Sequence, residues 1–548
     1  MFHPREIHVL FGCSGIDEVV KVANNQNQAK KRHLSLHNLL EFFGPHTQDL
    51  QTVKEHGNVM RHLTMFLGPL LCLLIYIGMP ATYTLADGTV TEFSAAGRAC
   101  LGMLVWMALW WCFETVPIAV TSLLPIIMFP LLHICKPAAA MAPYASDTVF
   151  LFMGAFLLAG GVTRWGLDRR IALFVMNCIG TTPRKITFGI MFTTSILSAF
   201  MSNTATAAMM VPVAMALISL VHSTNNSSDP LASRHEHNFT LCLLLGLAYG
   251  ASIGGMATLI GSPPNGIYMR FMEVTYHQQI GVVDWMKFGV PVTVILFIAT
   301  YLFLAFVMFR DMGGEIPGGA QWVRRELKNL GKLSGGEIAV GSCFLIAAVL
   351  WFSGGTLRSI DVNGTRPFMW MSDAVIAMGM GAVTFLIPTD RKGTPAMTWD
   401  VASHAISWDV LLLFGGGLSL AAAIQSTGVA QLIGAQVTFF SGAPFPLLLL
   451  GVVTLVTFAT GVTSNTALAA MMMPLLAAVC QALDLPAQAV LLGTALAASA
   501  AFILPISTPP NAIVFGTGKL RIVDMLRAGI LINVLAIFVI CSVILLME

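Results

Sequence analysis

Residues 201–212 read MSNTATAAMMVP, and residues 463–474 read TSNTALAAMMMP. The two stretches align without a gap at an offset of 262 residues. The segments that precede them, DTVFLFMGAFLLA at 147–159 and DVLLLFGGGLSLA at 409–421, keep the same offset. Self-similarity of this kind predicts that the chain contains two copies of one structural unit.

The similarity continues after these stretches. SPPN at 262–265 aligns with TPPN at 508–511 at an offset of 246 residues, and VDWMKFG at 283–289 aligns with VDMLRAG at 523–529 at an offset of 240. The residues that the second copy lacks fall in the polar loop around 222–238. Each copy therefore carries a Ser-Asn-Thr motif followed by a Pro-Pro-Asn motif.

The composition indicates a membrane protein. Of 548 residues, 56% are hydrophobic and only 10% are charged, and the mean hydropathy is +0.78. A soluble domain has roughly 25% charged residues, so this composition excludes a soluble enzyme. The net charge of +2 gives no basic surface for nucleic acid, and the ten cysteines show no paired CxxC pattern that would indicate a zinc site or a disulfide framework.

Eleven apolar runs are long enough to cross a bilayer core of about 30 Å. They predict an all-α polytopic membrane protein with about eleven transmembrane helices, at 63–80, 97–113, 116–134, 146–163, 239–260, 285–309, 336–353, 373–388, 408–424, 489–505 and 523–547.

Two further apolar runs, 186–220 and 445–480, are too long for one straight span. Each would reach about 50 Å as a single helix, and each has a polar cluster near its middle. They are therefore either broken helices or hairpins that enter the membrane and return. If they are hairpins, five crossings separate the two copies and the repeat is inverted; if they span, six crossings make the copies parallel. The residues alone are compatible with both arrangements.

The distribution of positive charge predicts the orientation. If both long runs are re-entrant and residues 1–62 form a cytoplasmic, histidine-rich head, the inside loops hold most of the Lys and Arg, including the pairs at 184–185, 324–325 and 391–392. The outside segments then hold only Arg98, Lys136, Lys287, Arg358 and Arg366. This asymmetry follows the positive-inside rule.

The polar motifs predict a binding site inside the membrane. Prolines lack an N–H group, so backbone groups near them lose helical partners, which is tolerated only in a protein interior or a wet cavity. Free helix N-termini attract anions, and free carbonyls suit a hard cation such as Na⁺. The spans hold almost no Lys or Arg, with Arg270 just past the first Pro-Pro motif. An anionic substrate would thus be neutralised by helix termini and co-bound cations rather than by a salt bridge, which favours cation coupling.

From about Leu63 to the C-terminus, the paired SNT and (S/T)PPN motifs resemble the divalent anion:sodium symporter family, the carriers of dicarboxylates, citrate and related anions. The resemblance implies a homodimer of eleven-helix protomers that works as an elevator in the plasma membrane, or the inner membrane of a bacterium. It implies scaffold helices at 63–145 and 282–395, transport halves at 146–281 and 396–522, and a last transmembrane helix at 523–548. It also implies that the SNT motifs lie at the tips of two re-entrant hairpins, at 186–220 in the first transport half and at 445–480 in the second.

The resemblance also implies ligand residues. The substrate residues would be Ser202, Asn203, Thr204, Ser262, Pro263, Ser464, Asn465, Thr466, Thr508 and Pro509. The first sodium site would use Ser198, Ser202, Asn203 and Gly261, and the second would use Thr460, Ser464, Asn465 and Ser507.

The expected function is sodium-coupled symport of C4-dicarboxylates such as succinate, malate and fumarate. Within the same fold, a sodium-independent dicarboxylate or citrate exchanger and a citrate or sulfate symporter are the alternatives. A membrane enzyme is disfavoured because the chain has no HExxH, GxSxG or P-loop motif. A channel would differ by the absence of saturable, gradient-driven accumulation.

Overall fold

The computed structural model describes residues 49–84, 89–180, 182–224, 230–314, 318–362, 365–437 and 442–547. Side chains are described from Leu63 onward, except at positions 223, 224 and 230. The expected head at 1–62 lies outside the described residues, apart from the helical backbone of 49–62.

Over the described residues the fold is α-helical, with one small antiparallel pair of strands, β1 (Thr82–Thr84) and β2 (Val90–Glu92). A 3-10 turn at Ala142–Ala145 precedes the helix Asp147–Trp165, and a π-helical turn at Phe303–Met308 follows the helix Val282–Leu302. The helices, numbered along the chain, are α1 (Asp49–Gly78), α2 (Ala95–Cys112), α3 (Ile118–Ser122), α4 (Leu124–Leu131), α5 (Pro137–Met141), α6 (Asp147–Trp165), α7 (Leu167–Ile179), α8 (Pro183–Ser198), α9 (Asn203–Thr224), α10 (Pro230–Gly255), α11 (Pro263–Tyr276), α12 (Val282–Leu302), α13 (Gly319–Asn329), α14 (Gly335–Ser359), α15 (Asp373–Val383), α16 (Trp399–Ala405), α17 (Trp408–Ser426), α18 (Val429–Gln436), α19 (Phe445–Ala459), α20 (Asn465–Leu483), α21 (Ala487–Ser499), α22 (Pro509–Gly516) and α23 (Ile522–Met547).

Among the described residues, nine helical stretches are long and apolar enough to cross a membrane. Seven of them coincide with predicted spans, and the other two are α9 and α20, the second arms of the two long apolar runs. The four remaining predicted spans overlap shorter apolar helices. The prediction of an all-α polytopic membrane protein is confirmed.

Some of the predicted spans are not continuous helices. The run at 116–134 is divided into α3 and α4, because Pro125 lies in the first turn of α4 and has no N–H for a continuous ladder. The run at 489–505 is helical only to Ser499. There the backbone N–H of Phe502 donates to Oδ1 of Asn533, at 3.2 Å, instead of to a helical carbonyl.

Each long apolar run consists of a helix, a short break and a second helix. The first break separates Ser198 from Asn203, and the second separates Ala459 from Asn465. Both arms of the first run pack on α10, and both arms of the second pack on α21. The predicted breaks are confirmed, while re-entry into the membrane and the inverted orientation of the copies stay predictions.

The helices that begin at the Pro-Pro motifs pack on the opposite half of the chain. Helix α11 packs on α20 and α21, and α22 packs on α9 and α10. The helices that end the two copies, α12 and α23, also pack on each other. Helix α10 lies at the centre and is almost wholly buried. This reciprocal packing brings the breaks of one half against the other half.

Glycines allow α10 to approach the first arm of the first run closely. A Cβ at Gly250 would lie 2.8 Å from the carbonyl oxygen of Met191, and a Cβ at Gly254 would overlap the carbonyl oxygen of Ser195. These contacts are between backbones, so neither helix can shift to accept a side chain. The packing is the small-residue type that membrane helices use.

Ion pairs attach the amphipathic helix α7 to the segment around α13 and the start of α14. Nη2 of Arg169 lies 2.9 Å from Oε2 of Glu326, and Nε of Arg170 lies 2.6 Å from Oε1 of Glu337. The second pair is largely buried, and loss of one partner from such a pair is costly. A helix of the first predicted transport half is thereby attached to the predicted scaffold.

Candidate binding site at the paired helix breaks

The first break is organised by the hydroxyl of Ser198, which is fully buried. Its Oγ lies 2.5 Å from Oδ1 of Asn203 and 2.7 Å from the carbonyl oxygen of Ala251. A hydroxyl has one proton, so it cannot satisfy both acceptors fully at once. Ser202 then caps α9, because its Oγ accepts a hydrogen bond from the backbone N–H of Ala205 at 3.1 Å.

The second break repeats this arrangement. Oγ1 of Thr460, also fully buried, lies 2.7 Å from Oδ1 of Asn465 and 2.8 Å from the carbonyl oxygen of Ala498. Ser464 caps α20 through a hydrogen bond from the N–H of Ala467 at 3.5 Å. Each half of the molecule therefore holds one hydroxyl oxygen, one amide oxygen and one carbonyl oxygen that share a single proton.

The Pro-Pro-Asn motifs stabilise the loops before α11 and α22. Nδ2 of Asn265 donates to the carbonyl oxygens of Gly255 at 3.0 Å and Thr258 at 2.8 Å. Nδ2 of Asn511 donates to the corresponding carbonyls, of Ala501 at 3.2 Å and Leu504 at 3.1 Å. Both asparagines are fully buried. In the part of the chain that the structure describes, the Oδ1 atom of each has no hydrogen-bond partner.

The two loops differ in which hydroxyl closes them. In the first, Oγ1 of Thr258 donates to the carbonyl oxygen of Ala199, which ties the loop to the Ser-Asn-Thr break. The second loop has Leu504 at that position and cannot make this bond. Its Ser507, where the first loop has Gly261, instead donates to the carbonyl of Leu504 at 2.6 Å. Each loop is thus held by a hydroxyl that donates to a backbone carbonyl, but the two hydroxyls lie at different positions of the repeat.

One hydrogen bond joins the two halves at the site. Oγ of Ser262, the N-cap of α11, lies 3.0 Å from Oγ of Ser499 at the end of α21. In the repeat, Thr508 corresponds to Ser262. Ser252 corresponds to Ser499, because each follows the residue whose carbonyl contacts the buried hydroxyl of its own break, Ala251 and Ala498. Thr508 and Ser252 are both buried, and among the described residues neither has a hydrogen-bond partner. The two halves are therefore similar but not equivalent.

The structure brings several of the expected ligand residues together and leaves others near but not bonded. Ser198 contacts Asn203, Thr460 contacts Asn465, and Gly261 lies against the carbonyl oxygens of Gly255 and Ala199. The residues that are buried are Ser198, Gly261, Ser262, Thr460, Ser507 and Thr508; those that are partly exposed are Ser202, Asn203, Thr204, Pro263, Ser464, Asn465 and Thr466; and Pro509 is exposed.

Sequence reasoning missed three contributors to this region. Asn265 and Asn511 end the repeated Pro-Pro-Asn motif, and their identical position after both Pro-Pro pairs was a usable signal for a structural role. Ser499 carried no such signal, because its partner Ser262 is 237 residues away in sequence.

Arg270 does not supply the site with a free positive charge. Its Nη1 lies 2.6 Å from Oε2 of Glu273, one turn further along α11, so the guanidinium is already paired. The groups that the described part of the site offers to a ligand are hydroxyls, amides, carbonyls and helix N-termini.

Comparison with known proteins identifies relatives over most of the chain. The family model described as "Sodium:sulfate symporter transmembrane region" matches residues 69–547. A protein of Staphylococcus saprophyticus, "Sodium-dependent dicarboxylate transporter SdcS", is 36% identical over 490 residues, which are 89% of this chain and 91% of that protein. The protein of the same name from Staphylococcus aureus is 36% identical over 487 residues, 88% of this chain and 90% of that protein.

Two solved structures share the fold at low sequence identity. MtrF of Neisseria gonorrhoeae, described as illuminating a class of antimetabolite efflux pumps, has a TM-score of 0.58 with 13% identity, over 88% of this chain and 94% of that one. The YdaH transporter of Alcanivorax borkumensis has a TM-score of 0.53 with 13% identity, over 88% of this chain and 97% of that one.

Proposed function

This chain belongs to the sodium:sulfate symporter transmembrane region family, and we propose that it imports C4-dicarboxylates such as succinate, malate and fumarate together with Na⁺ across the plasma membrane. Relatives named sodium-dependent dicarboxylate transporters, which cover about nine tenths of the chain, support a dicarboxylate as substrate and Na⁺ as the coupled ion. The protein is accordingly a transporter and not an enzyme.

The observation that carries the proposal is the pair of oxygen clusters that share one proton each. At Ser198 and at Thr460, an amide oxygen and a carbonyl oxygen lie 2.5–2.8 Å from the hydroxyl oxygen. A cation bound among these three oxygens would satisfy the amide, the carbonyl and the hydroxyl oxygen together, so the two acceptors would no longer compete for one proton. Hard cations prefer such oxygen ligands, and unwound carbonyls in broken membrane helices are suited to Na⁺.

We assign one sodium ion to each cluster. The first would use Ser198, Ser202, Asn203 and Gly261, and the second Thr460, Ser464, Asn465 and Ser507. The orphan Oδ1 atoms of Asn265 and Asn511 support the assignment, because a buried amide oxygen without a partner is costly unless a ligand or a water satisfies it.

The substrate is proposed to bind between the two clusters. Helices α9, α11, α20 and α22 begin at the breaks, and their N-terminal N–H groups favour an anion. The proposed contacts are Ser202, Asn203, Thr204, Ser262, Pro263, Ser464, Asn465, Thr466, Thr508 and Pro509. A dianion held without a free Arg or Lys needs the two cations for charge balance, which makes transport depend on sodium.

The family resemblance supports two further parts of the proposal, a homodimer and an elevator movement of the site region against the scaffold helices.

The deciding experiment is uptake of radiolabelled succinate by proteoliposomes with an inward Na⁺ gradient, compared with K⁺ and choline. We expect accumulation in empty vesicles that requires Na⁺. Uptake only into vesicles preloaded with succinate, indifferent to Na⁺, would instead identify an exchanger. If sulfate or citrate is taken up in place of succinate, the proposed sodium sites still stand but the proposed C4-dicarboxylate substrate is rejected.

A further inference from the structure

A basic cavity lies at one edge of the helical bundle, away from the paired breaks. It has a volume of about 530 Å³ and opens between the start of α8 and the segment that follows α12. Its lining includes Thr182, Arg184, His235, Arg310 and Asp311. The cavity therefore joins the first arm of the first apolar run to the connection that leads toward α13.

Positive charge exceeds negative charge around this cavity. Asp311 is the one described carboxylate in the lining, and its Oδ2 atom is shared between Nη2 of Arg234 at 3.6 Å and Nε of Arg310 at 4.0 Å. Arg184 donates through Nη2 to the carbonyl oxygen of Arg310 at 2.9 Å. Two arginines thus lie near one carboxylate, a third contacts the backbone of Arg310, and the side chains of Arg234 and Arg310 are mostly exposed and able to contact an anion.

An apolar, membrane-type surface adjoins the basic groups directly. The guanidinium carbon of Arg184 lies 4.7 Å from the centre of the Phe306 ring, and Phe306 is itself 46% exposed. Leu302 and Val307 on the same helix end are exposed as well. They belong to the stretch Val282–Met308, which is apolar enough to span a membrane. A small soluble anion would use the arginines but would have no use for this apolar surface.

We propose that the cavity binds the phosphate headgroup of an anionic glycerophospholipid, with an acyl chain along Leu302 and Phe306. Basic pockets beside membrane helices on the cytoplasmic side bind such headgroups, and the expected orientation places this edge of the bundle there. Arginine binds phosphate oxygens through paired N–H donors, which suits Arg184 and Arg310. Because Arg184 lies on the helix that ends at Ser198, the bound lipid would link this arm to the connection after α12.

The test is lipid binding by the full-length, detergent-solubilised protein in native mass spectrometry, with phosphatidylglycerol against phosphatidylcholine. The variant R184Q/R310Q is compared with R324Q/R325Q, which removes the same charge from exposed arginines of α13. We expect a preference for phosphatidylglycerol that falls about tenfold in R184Q/R310Q, as loss of charge-assisted hydrogen bonds predicts, and is retained in the control. Equal losses in the two variants, or no preference for the anionic lipid, would overturn the proposal.

Two additional measurements distinguish a lipid site from a site for a free anion and from misfolding of the variant. Inorganic phosphate and glycerol 3-phosphate should displace phosphatidylglycerol poorly, and efficient displacement by either would reject a lipid as the occupant. R184K/R310K keeps both charges and should bind phosphatidylglycerol better than R184Q/R310Q. If the two variants bind equally weakly while both remain monodisperse, positive charge at these two positions does not drive lipid binding and the proposal is overturned.

Discussion

Replacement of Thr460 by valine tests the second proposed sodium site with little change in side-chain shape. In the folded protein, Oγ1 of Thr460 is fully buried and lies within hydrogen-bond distance of Oδ1 of Asn465 and the carbonyl oxygen of Ala498. Valine has no hydroxyl, so the cluster retains two oxygens that no longer share a donor. The proposed cation would also lose one ligand.

The expected size of the effect follows from these contacts. A buried acceptor left without a partner costs about 1–3 kcal/mol. If the hydroxyl orients Asn465 for the ion, this free energy appears in the affinity for sodium. A difference of about 1.4 kcal/mol is a factor of ten, so we expect the sodium concentration for half-maximal uptake to rise about 5- to 150-fold.

The assay is the sodium dependence of succinate uptake in proteoliposomes, and Thr463→Val is the matched control. Oγ1 of Thr463 donates to the carbonyl of Ala459, one turn back, at 3.0 Å. The control therefore loses a comparable hydrogen bond three residues away from Thr460. If both variants require the same sodium concentration, or if only the maximal rate changes in Thr460→Val, the assignment of this hydroxyl to a sodium site is refuted.

The remaining predictions concern other parts of the molecule. Gly254→Ala should abolish the folded transporter, because the methyl group would overlap a backbone carbonyl, whereas Gly246→Ala, with 3.4 Å to its nearest side-chain atom, should leave the yield of monodisperse protein near normal. Asn265→Ala should weaken both the thermal stabilisation of the protein by sodium and the uptake of succinate. The reference is thermal unfolding of the wild type in sodium compared with potassium. If sodium stabilises the variant as much as the wild type, Asn265 does not belong to the site. Sodium at about 100 times its Kd should stabilise the wild type by about 2.7 kcal/mol for each of the two proposed sites, and an equal effect of potassium would contradict selective sites. Burial raises the pKa of Asp168, which lies in α7 outside the nine spans, from its ordinary value near 4 to about 6. Its ionisation therefore opposes folding increasingly as the pH rises from about 4 to about 6, at about 1.4 kcal/mol for each pKa unit. Asp168→Asn should increase stability at pH 8 by up to about 3 kcal/mol, and the gain should vanish as the pH falls below about 4. A gain that is independent of pH would refute this cause.

The repeat made much of the fold predictable. The Ser-Asn-Thr motifs located both helix breaks to within a few residues, because a polar cluster is costly in the middle of an apolar run unless it caps a helix or binds a ligand. The Pro-Pro pairs likewise marked the first turns of α11 and α22, since proline is tolerated at that position of a helix. The assignment to the symporter family, expected from these motifs, is confirmed by the family match.

Tertiary contacts account for what the sequence left out. The end of α21 at Ser499 has no proline or glycine to predict it and depends on Asn533, which lies in another helix. The bond between Ser262 and Ser499 joins residues from different halves, so no local pattern could reveal it. The different hydroxyls at Thr258 and Ser507 show the same limitation, because a gapless comparison of the copies aligns neither with a hydroxyl.

The crossing of α11 and α22 onto opposite halves has a consequence for the ancestry of the molecule. A single copy of the repeated unit would leave its own Pro-Pro helix without the surface on which it rests, so one unit alone could not complete a site. Before the two copies were joined in one gene, the ancestral unit would have required a second polypeptide of the same kind beside it. If the repeat arose by duplication, the ancestral site is expected to have been shared by two polypeptides, and the present chain would hold that pairing as an intramolecular contact.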